Sequence, residues 1–478
     1  MIVGELRHGQ LAIIDRLKET VRLSEGLEES GKLTQRARER ALDCLARFGE
    51  RLRDMRAANV RAAGTSTLRR AADSRAFCRE AEAALGHPIE VIPGIEEARL
   101  IYSGVVNSTP PYEGVRLVMD IGGGSTELIL GQGVRPSALE SLHMGCVVMT
   151  ERHFPGGLIT RDAFERARLA IRLKLRPVKA FFRNADEVQA IGASGTVRAT
   201  EAVARELGLI DDALTARAVE QLIEKVIEFD DVQSLSMPGL SASRAQVWPG
   251  GLAILIELLE VLRIERVTIS DGALREGLLY DYIGRTQHED ARERSVRALA
   301  SRYNVDSDQA ERVANTAAEL LGQSAARWQL DSELATLVLG WSARLHEIGL
   351  DISHVGFQRH GAYIVGHADL PGFPRSEQDL LAFLIDSQRR NIDRTKRDSL
   401  PRSWRKKALR LAILLRLAVL MNRNRSREQL PAIDLAVDDR AVTLRFPAGW
   451  LDANPLTVAD LERERDYLDE VGFTLDFS

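Results

Sequence analysis

Leu117-Val118-Met119-Asp120-Ile121-Gly122-Gly123-Gly124-Ser125-Thr126-Glu127-Leu128-Ile129-Leu130 reads as strand, glycine turn, strand. The apolar run ahead of Asp120 and the alternation after Ser125 both suit β-structure. Three consecutive glycines leave backbone N–H groups uncovered and allow positive φ. Such a turn can wrap an anion with main-chain donors. Asp120 stands at its entrance and Glu127 just beyond its exit. A glycine cradle between two carboxylates suits phosphate oxygens held beside a divalent cation. The same residues also make a plain glycine-rich hairpin with a solvated acid on each side. The loop alone leaves both readings open, and the flanking chain decides between them.

Outward from this stretch, strand and helix patterns alternate. Met1–Leu6 and Gln10–Ile14 read as two strands joined near His8-Gly9. Thr34 is a plausible N-cap for a helix over 34–57, with Ala37, Ala41, Leu45, Phe48 and Leu52 as its apolar stripe. Strands are expected at Asn59–Ala63 and Ile89–Ile92, each followed by a helix; the second helix opens at Pro93-Gly94 and runs to about Val105. Beyond the hairpin come a basic helix (162–182), a strand at Glu187–Ile191 ending in Gly192-Ala193-Ser194-Gly195-Thr196, and two further helices. A long apolar helix (252–262) then follows Pro249-Gly250-Gly251, and a strand at Arg266–Ser270 ends in Asp271-Gly272. Repeatedly a strand ends in Gly, Ser or Thr and a helix follows. That pattern predicts an α/β architecture whose ligands lie at the strands' carboxyl ends. Near residue 285 the pattern turns almost wholly helical, and strands return after about 428. The expected division is 1–106 and 107–285 as two α/β halves, 286–427 as a helical domain and 428–478 as a small α+β domain.

Composition narrows the classes. The 478 residues are 45% apolar and 28% charged with a net charge of −4, so no global polyanion-binding character follows. The longest apolar run, Leu411–Met421, is broken by Arg416 and too short to span a membrane, and no secretory signal pattern opens the chain. Cys44, Cys78 and Cys146 are odd in number and widely spaced, which suits a reducing cytoplasm. A cytoplasmic location is expected; peripheral association with a membrane is compatible with the same features.

Asp120–Glu127 (DIGGGSTE), Glu96–Ile101 (EEARLI), Gly192–Thr196 (GASGT) and Ser270–Gly277 (SDGALREG) together resemble the exopolyphosphatase/guanosine pentaphosphate phosphohydrolase family of the actin-like ATPase superfamily. Leu345-His346-Glu347-Ile348-Gly349 with His360 is similar to that family's HD-like helical domain, and Leu444-Arg445-Phe446-Pro447 extends the likeness into the tail. The resemblance implies two actin-like (ribonuclease H-like) domains with a phosphate chain in the cleft between them, then the HD-like domain and the small tail domain. It implies hydrolysis of a terminal phosphoanhydride assisted by Mg²⁺, with K⁺ as an activator, in a homodimer.

The resemblance also assigns residues. Glu97 would be the general base that takes a proton from the attacking water, with Glu96 stabilising its helix start. Asp120 and Glu127 would hold Mg²⁺ as hard oxygen ligands, partly through water. Gly122, Gly123, Gly124 and Ser125 would donate to phosphate oxygens, faced by Thr65, Ser66 and Arg69 from the first half. Ser194, Gly195 and Thr196 would hold phosphates further along the chain. Arg69 and Arg244 would stabilise charge on the transferred phosphoryl; for Arg275, surface solvation is a serious rival. In the helical domain Glu347 stands where an HD site has Asp, and His354, His360 and His367 complete no clear ligand set, so a structural role is expected. Residues 389–427 carry fourteen Lys/Arg against Asp393 and Asp398 only. Within the family this stretch would line a passage for a long polyanion, with salt-dependent binding. Trp404 stands nearly alone there, so nucleic acid is not expected as a partner.

One motif of the family, a first strand ending in Asp-Leu-Gly-Ser-Asn-Ser, is absent, and Met1-Ile2-Val3 aligns with the segment that normally comes after that strand. The expectation is a gap in the first sheet and impaired activity. Release of orthophosphate from inorganic polyphosphate is the leading reading. Guanosine pentaphosphate hydrolysis uses the same motifs and is the nearest alternative; a non-catalytic binder of either anion is another. An actin-like kinase or ATPase lacks a visible phosphoacceptor site.

Overall fold

The computed structural model describes the chain apart from residues 8–9, 29, 183–187, 287–289 and 427–429, and apart from the side chains of 6, 7, 10, 11 and 284–286. The expected turn at His8-Gly9 and the expected strand start at Glu187 lie outside the described residues. The chain separates into two compact units, Met1–Glu289 and Asp290–Ser478.

In the first unit, β1 (Ile2–Arg7) and β2 (Gln10–Arg16) form an antiparallel pair, and β3 (Ala62–Gly64) and β4 (Ile89–Val91) a parallel one. The two pairs are separate two-stranded sheets. Thr34 does cap its helix, Gln35–Leu52, accepting from the Ala37 N–H at 3.4 Å. The second half is a five-stranded sheet in the order β7-β6-β5-β8-β9. It contains β5 (Val115–Ile121), β6 (Thr126–Gln132), β7 (Arg135–Leu142), β8 (Gln189–Gly192) and β9 (Val267–Ile269). β5, β6 and β7 form an antiparallel meander; β8 joins β5 in parallel and β9 joins β8.

The alternation of the quoted stretch sorts its residues between two cores. Leu117, Met119, Ile121 and Leu128 enter one cluster, whereas Val118 and Ile129 pack with Ala98, Ile101, Tyr102 and Val105 of the helix Gly94–Ser108. Both faces of the sheet are covered, which is why the strand reads as a continuous apolar run. Asp120, two residues on from Val118, shares the face covered by that helix, and Glu127 lies directly opposite Asp120 in the β5–β6 register.

Sequence reading missed β7, whose residues RPSALESL alternate weakly and include a proline. It also took Pro249-Gly250-Gly251 as a lead-in. The helix begins at Trp248, with the proline in its first turn and both glycines inside. A Cβ on Gly250 would come within 2.5 Å of Thr150 Oγ1 and 2.6 Å of the Cys146 carbonyl, so the helix Cys146–His153 packs directly on that backbone.

The halves of this unit meet where the helices Gly94–Ser108 and Leu274–Thr286 cross. A Cβ on Gly277 would lie 1.8 Å from the Leu100 carbonyl oxygen, and one on Gly104 would lie 2.0 Å from that of Ala273. No side chain fits between these backbones.

The second unit is a bundle that includes Ser307–Trp328, Glu333–Leu345, Phe357–His367, Arg375–Ser387 and Arg402–Met421. The tail adds β10 (Asp434–Val437), β11 (Ala441–Arg445), the helix Pro455–Asp469 and β12 (Thr474–Phe477), in the sheet order β10-β11-β12. Leu435, Val442, Leu444, Leu461 and Leu475 share one core with the bundle, so tail and bundle form a single packed body. Gly277→Ala should lower the first unit's melting transition, at a cost of about 1–3 kcal/mol from overpacking. Gly340→Ala, inside the helix Glu333–Leu345 with nothing within 4 Å of its Cβ position, should stabilise by roughly 0.5–1 kcal/mol; thermal unfolding followed by circular dichroism reads both.

Candidate active site

The parallel pair β3–β4 sets the first elements of the site. The chain leaves β3 at Thr65 into the short helix Ser66–Arg70 and leaves β4 through Ile92-Pro93 into the helix Gly94–Ser108. Arg69 and Glu97 therefore emerge side by side from the carboxyl ends of paired strands. Arg69 Nη1 donates to Glu97 Oε2 at 2.8 Å and to the Ile92 carbonyl at 2.9 Å. Thr65 also donates to Glu97. Burial pushes the Glu97 carboxyl up, against the opposing pull of Arg69 and Thr65.

Glycine at position 94 brings this helix start against β7. A Cβ there would lie 2.6 Å from Ser141 Oγ. Ser141 Oγ in turn donates to Glu127 Oε1 at 2.8 Å. Glu97, Asp120 and Glu127 thus fall within electrostatic range of one another. Burial pushes Asp120 up to about 7, with the Glu97 charge adding to it and Arg198 opposing. Burial, then Glu97 and Asp120, push Glu127 well up, while the hydroxyls of Ser125 and Ser141 oppose. Like charges directly opposite on neighbouring strands are unfavourable. The donor chemistry of this pair fits a hard divalent cation that keeps waters or substrate oxygens as its remaining ligands. Among the described residues, no three His, Cys, Asp or Glu side chains form a metal-holding group by themselves.

The triple glycine works differently from the expectation. None of Gly122, Gly123 and Gly124 has positive φ. Their lack of a side chain serves close approach. A Cβ on Gly145 would come within 2.2 Å of the Gly123 carbonyl, and one on Gly124 within 2.8 Å of Ser66 Oγ. Nor are all the N–H groups open: that of Gly122 donates to the Ser125 carbonyl across the turn at 2.9 Å. Those of Gly123 and Gly124 have no acceptor among the described residues.

On the other side of Asp120 lies a cleft of about 650 Å³ that Asp120, Gly122 and Gly123 help to line. Ser194 and Gly195 form its far wall, and the guanidinium of Arg244 lies on Gly195, 2.5 Å from where a Cβ would stand. Ser194 Oγ accepts from the Val197 N–H, capping the helix Gly195–Glu206. Thr196 is a correction: its hydroxyl is fully buried and donates to the Ile121 carbonyl at 3.1 Å, so it ties the loop to β5 and does not line the cleft. Glu96 lies in the first turn of its helix, and Arg99 grips both its carboxylate oxygens, at 2.7 and 2.8 Å, which also makes it one end of a buried ion network. Arg69 and Arg244 stand in different places, the first on Glu97 and the second in the cleft.

Three cleft cations escaped sequence reading. Lys18 follows β2, Arg198 lies in the first turn after GASGT, and Arg22 bridges the mouth by donating to Gln246 Oε1 (2.6 Å) and the Ser243 carbonyl (2.8 Å). Arg275, weighed as a surface residue, lines the cleft too. Burial, then the guanidiniums of Arg198, Arg244 and Arg275, hold the Lys18 ammonium below the usual lysine range. Only Arg198 had a signal in the sequence, its position two residues past a strand-end loop. In the second unit His346 is buried, with Nδ1 donating to the Ala343 carbonyl at 2.6 Å.

Comparison with known proteins follows the same division. The profile of the Ppx/GppA phosphatase family matches residues 2–286, and that of Ppx/GppA phosphatase domain III matches 291–465. A protein of Aeromonas hydrophila named guanosine-5'-triphosphate,3'-diphosphate pyrophosphatase is 39% identical over 476 residues, covering 99% of this chain and 95% of that protein. A protein of the same name from Vibrio cholerae is 38% identical over 481 aligned residues, covering 99% and 95%. The solved Ppx/GppA family member of Aquifex aeolicus shares the fold, with a TM-score of 0.51 at 24% identity, covering 60% of this chain and 94% of that one. An exopolyphosphatase from Cytophaga hutchinsonii shares it with a TM-score of 0.52 at 24% identity, covering 58% and 92%. Among the described residues no helix is long and apolar enough to cross a membrane.

With divalent cations chelated, the carboxyls of Asp120 and Glu127 hold protons more tightly folded than unfolded. Stability should then fall as pH rises from about 4, the ordinary carboxyl range, through about 7, the folded value of Asp120. Asp120→Asn should remove part of that slope, so its melting point should gain on the wild type between pH 5 and pH 8; parallel curves would count against the assignment.

Proposed function

The chain belongs to the Ppx/GppA phosphatase family, and on that basis we propose that it hydrolyses the terminal phosphoanhydride of guanosine 5'-triphosphate 3'-diphosphate, releasing orthophosphate. One observation carries the chemistry. Glu97, almost wholly buried, is held by Arg69 beside the facing carboxylates of Asp120 and Glu127. In this reading a water approaches the terminal phosphorus opposite the bridging oxygen. The Glu97 carboxylate accepts its proton as the new P–O bond forms and the bridging P–O bond breaks. A raised carboxyl pKa suits a base working near neutral pH. Arg69 keeps Glu97 ionised and aimed; the N–H groups of Gly123 and Gly124 are free to donate to phosphate oxygens where charge accumulates.

Asp120 and Glu127 are the residues that would hold Mg²⁺, which when bound neutralises charge on the phosphoanhydride oxygens. Lys18, Arg198, Arg244 and Arg275 supply positive charge along the cleft for the remaining phosphates.

Sequence reading put inorganic polyphosphate first. Relatives at 38–39% identity over nearly their whole length, both named for the guanosine compound, support the reverse order. Polyphosphate stays the second reading because these cleft cations recognise successive phosphates without demanding a base. Orthophosphate release from the two substrates, compared on the same protein, separates them. Faster turnover of long polyphosphate would overturn the first reading. Glu97→Gln should cut kcat by about 10²–10⁴ and leave substrate affinity within a few-fold. An unchanged kcat in single-turnover assays would remove Glu97 from the mechanism.

A further inference from the structure

β5, β6 and β7 carry a row of polar side chains across one face of their sheet. Asp120 of β5 lies opposite Glu127 of β6, and Glu127 lies opposite Ser141 of β7, the edge strand. Leu139, two residues before Ser141, packs with the cluster of Val118, Ile129 and Ile101 on this face, as strand alternation requires. The helix Gly94–Ser108 covers the same face, so the row runs beneath the helix that carries Glu97.

Ser141 ends the row in a confined place. Its hydroxyl donates to Glu127 Oε1 at 2.8 Å. On its other side stands Gly94, where a Cβ would lie 2.6 Å from both Cβ and Oγ of Ser141. The hydroxyl is thus held between the start of the Glu97 helix and the Glu127 carboxylate. The last torsion of a glutamate is broad, so the side chain alone does not fix the plane of its carboxylate. A donor bound to one oxygen does. Ser125 also donates to Glu127, from within the glycine turn. Ser141 donates from a strand whose position is set by pairing with β6, and strands hold side chains more precisely than loops.

We propose that Ser141 is a positioning residue for the reaction: it fixes the plane of the Glu127 carboxylate and, by abutting Gly94, the separation of Glu127 from Glu97. It acts through Glu127 and touches no substrate. This role rests on the reading of Asp120 and Glu127 as the holders of the divalent cation. Hydrogen-bond donors behind ligating carboxylates typically change cation affinity by about 10–100-fold.

The test is Mn²⁺ binding to the substrate-free full chain, read from the paramagnetic resonance signal of the unbound ion. Turnover of guanosine 5'-triphosphate 3'-diphosphate against Mg²⁺ concentration is measured in parallel. Ser141→Ala should weaken Mn²⁺ binding about 10–100-fold. The Mg²⁺ concentration for half-maximal turnover should rise by a similar factor, with kcat at saturating Mg²⁺ falling far less. Ser141→Cys fills the space with a poor donor, so it should behave like Ser141→Ala; it keeps the test decisive if the smaller residue loosens the fold. Wild-type Mn²⁺ affinity in both variants overturns the proposal. So does a loss in Ser141→Ala that Ser141→Cys restores, because Ser141 then acts by filling space. Glu127→Gln tells two failures apart. If it loses Mn²⁺ while Ser141→Ala does not, only the role of Ser141 falls. If it binds Mn²⁺ as the wild type does, the cation reading falls and the role of Ser141 with it.

Discussion

Three carboxylates, those of Glu97, Asp120 and Glu127, are held together at the ends of strands, Glu97 and Glu127 buried and Asp120 half-buried at the cleft, and one guanidinium, that of Arg69, pairs directly with the first. Charges removed from water are unfavourable unless a proton, a cation or hydrogen-bond donors compensate. Much of the first unit can be understood as the framework that imposes this proximity. Gly94 lets the helix start reach Ser141, Gly124 lets Ser66 reach the turn, and Gly145 lies flat on Gly123. A methyl group at any of them would separate walls that must stay within a few ångströms. The repulsion stored there is what a bound divalent cation would relieve, and with it in place a phosphate chain could approach.

Holding Glu97 in place requires the start of its helix to be tied to neighbouring elements as well. Arg99, two residues on, donates to Glu96 and to Asp281 of the crossing helix; Arg61, just before β3, donates to Asp281 and to Glu90 of β4. The network runs from the parallel strand pair through both crossing helices. Removing one member of such a buried set leaves its partner uncompensated, which typically costs about 3–5 kcal/mol. Neighbouring glutamates therefore have opposite fates. Glu96 is neutralised as framework, whereas Glu97 keeps a raised pKa suited to accepting a proton.

The second unit repeats the contrast with arginine. Arg416 reaches into the core, donating to two backbone carbonyls and to Glu464, and through Glu464 it fastens the tail helix to the bundle. Arg389, half-buried, and Arg390, exposed, have no carboxylate partner among the described residues.

Much of this was legible in the residues alone. The apolar runs and glycine turns marked the alternating α/β half and its hairpin; the order of DIGGGSTE, EEARLI, GASGT and SDGALREG marked the family and the residues worth watching. Local pattern can do this because strand burial and turn geometry are encoded within a few residues. Other features depended on distant partners. No spacing reveals that Thr196 turns to the Ile121 carbonyl, that Arg99 claims Glu96, or that Lys18 meets three arginines from elsewhere in the chain. β7 was missed because its pairing with β6, not its own composition, makes it a strand. The sequence by itself determined the class of fold and which side chains could do phosphate chemistry. Only the tertiary structure decided which charges are neutralised and which stay exposed to a ligand, because that depends on separation in space and on burial, to which residues hundreds of positions apart contribute equally.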